Sequence, residues 1–349
     1  MSKKILIEKI NDLELWEQYL NQFPEANFLQ SSAWKTFQEK MKKKVWALRL
    51  FEAKRKENKS SLALALVVGE SAKRANYLTL AGGPLLDWQN DNRQLIVQSL
   101  LNYLKDLAEK EKISFLRLRP QALSTPELLD FFSELGFRQS PMHLTADLTL
   151  QLDLTQVEEA LLTQMRKNTR YEVRRAQKIG IFTRLSRNPA EIQDFYEAQV
   201  ALAKRQNFVP FSYQFLHQQF LAFLKNDQVA LIHSYLKDQL LASAFVIFYR
   251  HEAVYHYGVS TLANAKLPGS YACQWAAIKE AKRRGLATYN FWGISPVSEA
   301  KHRFAGVSLF KRGFGGEEVD YLPAQDYQFS SDYFLVRTFE LLRKKVRRL

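Results

Sequence analysis

Cationic side chains set on a helix, glycines beside a lysine, and a carboxylate after a glycine turn are the features of this sequence best suited to chemistry on an anionic or ester-bearing substrate. The segment LLTQMRKNTRYEVRRAQKIG at 161–180 carries Arg166, Lys167, Arg170, Arg174, Arg175 and Lys178. Arg166, Arg170 and Arg174 recur every fourth residue, so on one helix they stack on a single face and repel one another unless an anion or solvent takes up their charge. In LFKRGFGG at 309–316, Gly313, Gly315 and Gly316 let backbone come close to a ligand. Lys311 beside them offers an ammonium that could neutralise a phosphate or a developing oxyanion. A solvated basic face and an ordinary glycine turn with an exposed lysine account for the same letters. No GxxxxGK[ST] string is present, so this is not a Walker loop.

Other candidates are narrower. Tyr255 and Tyr257 fall on one face of an expected strand, with His256 on the other and Gly258 following, a pattern that core packing also explains. Asp87 follows GGPLL in a turn after a strand, where ligand loops sit and where turn formation alone also favours aspartate. Histidines at 143, 217, 233, 251, 256 and 302 show no metal-ligand spacing, and no metal or cofactor is expected. The single cysteine, Cys273, lies in an apolar helical pattern and G-x-S-x-G is lacking, which leaves no basis for a cysteine or serine nucleophile.

The elements that must hold these residues alternate. Short amphipathic helices are expected over 14–23 and 31–43, the second with Ser31 or Ser32 as N-cap, then strands over 46–53 and 61–68 around the polar loop KRKENKS, and a strand over 75–80 running into AGGP. Leu95, Ile96, Leu100, Leu101, Leu104 and Leu107 have helical spacing; strands at 115–118 and 143–152 flank a capped helix at 125–136. The second half repeats the order. Helices are expected over 157–179 and 189–206, strands over 229–235, 240–250 and 253–260, a helix over 269–284, a strand over 288–292, the FKRGFGG loop, and a basic closing helix over 331–349. The chain therefore reads as α/β, with a duplicated unit in which helices precede a hairpin and then strand, helix and strand.

At 349 residues the chain suits two domains, and 46% hydrophobic with 25% charged residues is the composition of folded protein. One cysteine and an N-terminus without an apolar signal core lead to a cytoplasmic expectation, and no stretch is apolar enough to span a membrane. Lysine and arginine total 50 against 36 acidic residues, a net charge of +14 that attracts polyanions: nucleic acid, a nucleotide-linked substrate or an anionic membrane face. Charge for solubility alone is the plainer reading.

Taken in order, FLQSSAW at 28–34, GGPLLD at 82–87, RKNTRYEVRRAQKIG at 166–180, AKRQNF at 203–208, YGVS at 257–260, LPGSYACQWAAIKEAKRRG at 267–285, YNFWGI at 289–294 and FKRGFGG at 310–316 resemble the FemABX family of aminoacyl-tRNA-dependent peptidyltransferases. No segment sustains the heptads of the coiled-coil arm that many members carry, so the likeness is to the compact, FemX-like kind. The resemblance implies two tandem GNAT-like domains, each a mixed twisted sheet flanked by helices: one from 1–152 with the closing segment 325–349, the other from 153–324. It implies transfer of an amino acid of the Ala, Ser or Gly class from aminoacyl-tRNA to an amine of the peptidoglycan stem peptide. The acceptor is UDP-MurNAc-pentapeptide or lipid II, and the protein a monomer that is cytoplasmic or peripheral at the inner membrane face.

Carried over residue by residue, Phe310 and Lys311 match the family's Phe-Lys pair, with the lysine at the tRNA end and the oxyanion. Tyr257 matches a tyrosine near the peptide, Asp87 an acid near the accepting amine, and Arg205 an arginine near the substrate phosphates. Where a basic residue is expected four places after Trp34 the chain has Gln38, and Lys35 or Lys40 takes its place; Gly82 and Gly83 stand where many members have arginine before Gly-Pro. Arg166, Lys167, Arg170 and Arg174 are the expected contacts for tRNA or pyrophosphate. Rival readings are an acyl-coenzyme A N-acyltransferase, for which a Q/R-x-x-G-x-G/A loop is lacking, and a non-catalytic RNA-binding protein.

Overall fold

A computed structural model describes residues 4–53, 60–299 and 301–347. The loop expected at KRKENKS lies almost wholly outside these residues. Two units are present, one formed by residues 1–147 with 320–349 and the other by 148–319.

In the first unit the strands are β1 (Ile5–Lys9), β2 (Val45–Glu52), β3 (Ala63–Ser71), β4 (Asn76–Gly82), β5 (Leu85–Leu86), β6 (Phe115–Pro120) and β7 (Arg138–Gln139). Helices α1 (Leu13–Leu20) and α2 (Ser32–Lys40) precede the β2–β3 hairpin, α3 (Arg93–Glu111) crosses from β4 to β6, and α4 (Pro126–Glu134) follows. The sheet runs β1-β2-β3-β4-β6 and then takes the returning strand Gln325–Gln328 before β7. Only β4 and β6 pair in parallel among the registered neighbours. Parallel neighbours cannot be joined by a tight turn, so α3 is the crossover that β4 to β6 requires. Its Ile96, Val97, Leu100, Leu101 and Leu104 are buried on that sheet with Leu78, Leu80, Leu116 and Leu118.

The second unit repeats the plan. Its strands are β8 (Leu148–Asp153), β9 (Ile181–Ser186), β10 (Val229–Leu236), β11 (Gln239–Tyr249), β12 (Glu252–Ser260), β13 (Thr288–Gly293) and β14 (Glu317–Asp320), in the order β14-β8-β13-β12-β11-β10-β9. Helices are α5 (Glu158–Gln164), α6 (Lys167–Lys178), α7 (Ile192–Gln206), α8 (Tyr213–Leu224), α9 (Gly269–Arg283) and α10 (Ala305–Arg312). Here β12 and β13 are the parallel pair and α9 the crossover, burying Cys273, Ala277, Ile278 and Ala281. Both halves are therefore mixed sheets with helices, each with one crossover in the same place, as the sequence implied.

Several local expectations differ. The strand expected at 143–152 runs Leu148–Asp153 and hydrogen-bonds to β13 in the second sheet, because Leu150 and Leu152 bury in the second core. The single helix expected over 157–179 is two helices. Met165 is extended at φ −61°, ψ 143°, since its side chain is buried while the chain turns from α5 into α6. Helix α8 was not anticipated, although Ser212 caps it, its Oγ accepting the Phe215 N–H at 3.2 Å, and Leu216, Phe220 and Phe223 have helical spacing.

The returning strand is fixed by charge as well as by pairing. Arg117 on β6 donates to both carboxylate oxygens of Asp326, at 2.7 and 3.0 Å, and to Glu340 of the closing helix Asp332–Arg347 at 2.7 Å. Arg117 and Asp326 are buried, so removing Asp326 leaves the guanidinium with Glu340 as its one remaining carboxylate among the described residues and part of its donors unmet out of water. Asp326→Ala is expected to lower the unfolding free energy by about 3 kcal/mol in urea titration, whereas Asp332→Ala at the exposed helix start changes it by no more than about 0.5 kcal/mol.

Candidate functional site

The FKRG letters end a helix rather than forming a loop. Phe310, Lys311 and Arg312 occupy the last turn of α10, and the glycines follow it. Lys311 is consequently held in place instead of mobile in solvent: it is 7% exposed and its Nζ donates to the Gly293 carbonyl at 2.7 Å, 5.7 Å from the Tyr255 ring centre. The Gly293 carbonyl is aimed there by a kink in β13, where Trp292 has a left-handed φ of 62° and its N–H donates to Asn290 Oδ1 at 2.8 Å. The neighbouring Arg312 and Ser308 side chains hold Ser295, by bonds of 2.8 Å to its carbonyl and from its N–H.

Among the described residues no carboxylate pairs with Lys311. Burial without a counter-charge disfavours the ammonium and brings its pKa down to about 7. An amine at that value is present in both protonation states at neutral pH, which suits it to hold or release a proton beside a reacting group.

Helix α6 is joined to this turn. The Arg166 N–H donates to the Gly313 carbonyl at 2.9 Å and the Arg166 guanidinium to the Leu309 carbonyl. A Cβ on Gly313 would stand 2.3 Å from Thr169 Oγ1 and 3.0 Å from Arg166 Nη2, so only glycine admits the contact. Arg170 donates to the carbonyl of Thr163 at 3.0 Å, at the end of α5. The cationic face read from the spacing thus divides: Arg166 stands at the N-cap and with Arg170 serves carbonyls at helix ends, while Lys167 and Arg174 face solvent. Phe310 packs against Tyr271 and Phe314, at 5.0 and 5.4 Å between ring centres.

Tyr255 and Tyr257 do not share a face. The β11–β12 register shifts so that Phe245 opposes Tyr257 and Val246 opposes Tyr255, leaving His256 as the extra residue of a bulge. Tyr255 packs with the α9 core beside Lys311, whereas Tyr257 meets Phe211 at 4.8 Å and Phe245 at 5.5 Å. Arg205, exposed at the end of α7, donates to the Ser260 carbonyl at 2.6 Å, on the strand that carries Tyr257. Burial raises both phenols above their ordinary range and lowers His256 to about 3.

In the first unit, two motifs distant in sequence pack together. Asn27 Nδ2 donates to the Gly82 carbonyl at 2.8 Å and Gln30 Nε2 to the Ala81 carbonyl at 2.7 Å. A Cβ on Gly82 would lie 2.3 Å from Asn27 Oδ1, and φ there is +69°, which accounts for glycine at that position. Asp87, just beyond β5, is exposed and its Oδ1 accepts the Gln89 N–H at 3.0 Å. Nearby, Glu25 accepts the Leu86 N–H at 3.0 Å; burial raises its pKa and the Asp87 charge adds to the rise, a partner that no spacing had indicated. Ser31, not Ser32, caps α2, accepting the Trp34 N–H at 3.0 Å. Trp34 stacks edge-on with Phe28 and Phe37, and Lys35 is buried with its charge paired to Glu39 at 2.7 Å. Lys40 is exposed.

A serine, histidine and glutamate do come together in the second unit: Ser243 Oγ lies 2.6 Å from His233 Nδ1, and Glu191 lies 3.0 Å from Nε2. Ser243 and His233 are buried on β11 and β10, closed to a substrate, and the group fastens the two strands to the turn at Pro189–Glu191. Among the described residues no three histidine, cysteine or carboxylate groups are placed to hold a metal ion. None of the described helices is long and apolar enough to cross a membrane.

Known proteins share this architecture. The chain superposes on the crystal structure of FemX with a TM-score of 0.80 at 15% identity, over 96% of this chain and 100% of that one. It also superposes on a tandem GNAT protein from the clavulanic acid biosynthesis pathway with a TM-score of 0.60 at 11% identity, over 94% and 99%. The fold is thus that of tandem GNAT-like proteins, and residues 163–302 match the acetyltransferase (GNAT) domain. Residues 12–131, about a third of the chain, match the model of the FemAB family. Aminoacyltransferase FemA of Staphylococcus aureus is 34% identical over 82 residues, 24% of this chain; the chain spans about a fifth of the length of such curated relatives, 20% of FemA.

The buried ammonium makes stability depend on pH with a definite sign. The unfolded chain binds this proton up to a pKa near 10.5 and the folded chain only to about 7, so the destabilisation by Lys311 is complete below pH 7 and fades as pH rises from 7 towards 10.5. Lys311→Met should therefore raise the unfolding free energy at pH 6 by on the order of 2 kcal/mol after loss of the carbonyl bond, with a smaller gain at pH 9. Equal gains at the two pH values in urea titrations would refute a strongly depressed lysine.

Proposed function

We propose that the chain is an aminoacyltransferase that moves an amino acid of the Ala, Ser or Gly class from aminoacyl-tRNA to an amine of a peptidoglycan stem peptide, linked to UDP or to lipid. The observation that carries the reading is Lys311, a nearly buried amine with no carboxylate partner among the described residues, at the end of α10 on the position that resembles the FemABX family's Phe-Lys pair. In the reaction the acceptor nitrogen attacks the ester carbonyl carbon, and the carbonyl oxygen becomes an oxyanion. The nitrogen then loses a proton, the bond to the ribose oxygen breaks, and a proton reaches that oxygen as it leaves.

Protonated Lys311 stabilises the oxyanion, and with a pKa of about 7 it can pass its proton to the departing oxygen. Phe310 shapes the wall of this turn. Asp87, exposed at the end of β5, is proposed to orient or deprotonate the acceptor amine. Tyr257 and Arg205 are proposed for the peptide and phosphate portions, and Trp34 and Lys35 are further proposed substrate-binding residues. Lys35 is bound to Glu39, so exposed Lys40 is the freer of the two lysines to meet a phosphate. Lys167 and Arg174 present charge to tRNA phosphates, and Arg166 and Arg170 position the helix that carries them.

Acyl-coenzyme A-dependent N-acyl transfer is a second reading, favoured by the acetyltransferase domain match over 163–302. Purified protein supplied with labelled aminoacyl-tRNAs or acetyl-coenzyme A, and with UDP-linked or lipid-linked acceptors, separates the readings by which donor is consumed. Lys311→Ala is expected to slow aminoacyl transfer about a hundred- to a thousand-fold, and Asp87→Asn to act on kcat more than on binding of the donor. An unchanged rate in Lys311→Ala rejects its assignment. Donor affinity should fall steeply with salt, and less steeply in Lys167→Ala/Arg174→Ala.

A further inference from the structure

The closing helix Asp332–Arg347 is fastened on one side only. On its inner side Tyr333 is buried, Glu340 pairs with Arg117 at 2.7 Å and Arg337 donates to the Gln139 carbonyl at 2.8 Å. On its outer side Phe334, Leu335, Leu341 and Leu342 are exposed by 47, 75, 48 and 60%. Phe334 and Leu341, and Leu335 and Leu342, are each two turns apart, so the four form one stripe. Large apolar side chains scattered singly over a surface need no explanation, but a stripe of four along one helix marks a contact surface.

The stripe is edged by cations from three elements. Arg74, in the turn after β3, lies over the Phe339 ring with 3.4 Å to its centre, and Arg138 of β7 over Phe334 at 5.4 Å. Arg343, Lys344 and Lys345 follow on the helix itself. Of the two acidic residues on the helix, Glu340 is turned inward to Arg117 and Asp332 stands at the first turn. A second copy docked on this face with its helix parallel would bring the Arg343–Lys345 cluster towards its own image, which opposes association in that arrangement. Apolar residues edged by lysine and arginine, with Glu340 turned inward and Asp332 at the opposite end of the helix from Arg343–Lys345, are what an anionic bilayer complements.

We propose that this face docks the protein on an anionic lipid surface. Phe334, Leu335, Leu341 and Leu342 enter the boundary between headgroups and acyl chains, while Arg74, Arg138, Arg343 and Lys345 meet headgroup phosphates. The proposal does not depend on the reaction catalysed, and it stands on the first unit alone.

Sedimentation of the whole chain with vesicles tests it. Binding is expected with phosphatidylcholine vesicles that include phosphatidylglycerol and not with phosphatidylcholine alone. Leu335→Glu/Leu342→Glu and Arg343→Glu/Lys345→Glu should each bind at least tenfold more weakly, while their urea unfolding midpoints stay near that of the parent because all four positions are on the outer surface or the helix end. A fluorophore on Leu335→Cys, with Cys273 buried and shielded from labelling, should shift to the blue on the same vesicles. The proposal fails if the parent ignores phosphatidylglycerol vesicles at low salt, or if binding persists undiminished in Leu335→Glu/Leu342→Glu. It also fails if the label does not shift, or if the apolar face instead mediates self-association that Leu335→Glu/Leu342→Glu abolishes.

Discussion

A parallel pair of neighbouring strands has to be connected over the face of the sheet, and that constraint, met once in each unit, organises everything else. In the first unit β4 and β6 are joined by α3, and in the second β12 and β13 by α9. Each crossover helix must bury an apolar face on the sheet it spans, so the two largest cores form under α3 and α9. The ends of the parallel strands are then where loops emerge, and the residues with chemical potential gather at such ends: Gly82 to Asp87 after β4, and Trp292 and Gly293 at the close of β13.

Placing an amine beside the Gly293 carbonyl carries a cost that the surrounding structure has to carry. Lys311 has one carbonyl acceptor and an aromatic face near it, and among the described residues no carboxylate partner. Desolvation of this kind lowers stability whenever the amine is protonated. The fold offsets it locally by over-determining the turn: Arg166 ties α6 to Leu309 and Gly313, Arg312 and Ser308 hold Ser295, and Phe310, Phe314 and Tyr271 pack together. A residue kept in an unfavourable environment by so many independent contacts is positioned more sharply than a surface lysine could be.

Much of this was legible because period and punctuation are local. The crossover helix α3 announces itself by leucines at helical spacing, α4 by Thr125 before Pro126 and by the left-handed Gly136, and the order of helices, hairpin, strand, helix and strand by its repetition. What escaped depends on contacts distant in sequence. The break at Met165 exists because that side chain buries, the bulge at His256 because β11 and β12 slip by one residue, and the helical setting of Lys311 because α10 is short and fixed mainly by its neighbours. Gly313 looked like freedom for a ligand and is room for Thr169 and Arg166, while Gly82, read as part of a turn, is also room for Asn27.

The same distinction applies to the positive charges. Spacing by four made Arg166, Arg170 and Arg174 equivalent, yet two of them bond to carbonyl oxygens at helix ends and one faces water. Bonding to a carbonyl satisfies a guanidinium's donors without cancelling its charge, because the acceptor is a dipole and not a counter-ion. Such an arginine keeps contributing to the long-range field of a chain with net charge +14 while losing the freedom to wrap a phosphate. The basic helix therefore combines two kinds of cation, fixed ones that position it and steer anions from a distance, and free ones such as Lys167 and Arg174 that can close on them. Charge read from a sequence measures the first property; only the partners of each side chain reveal the second.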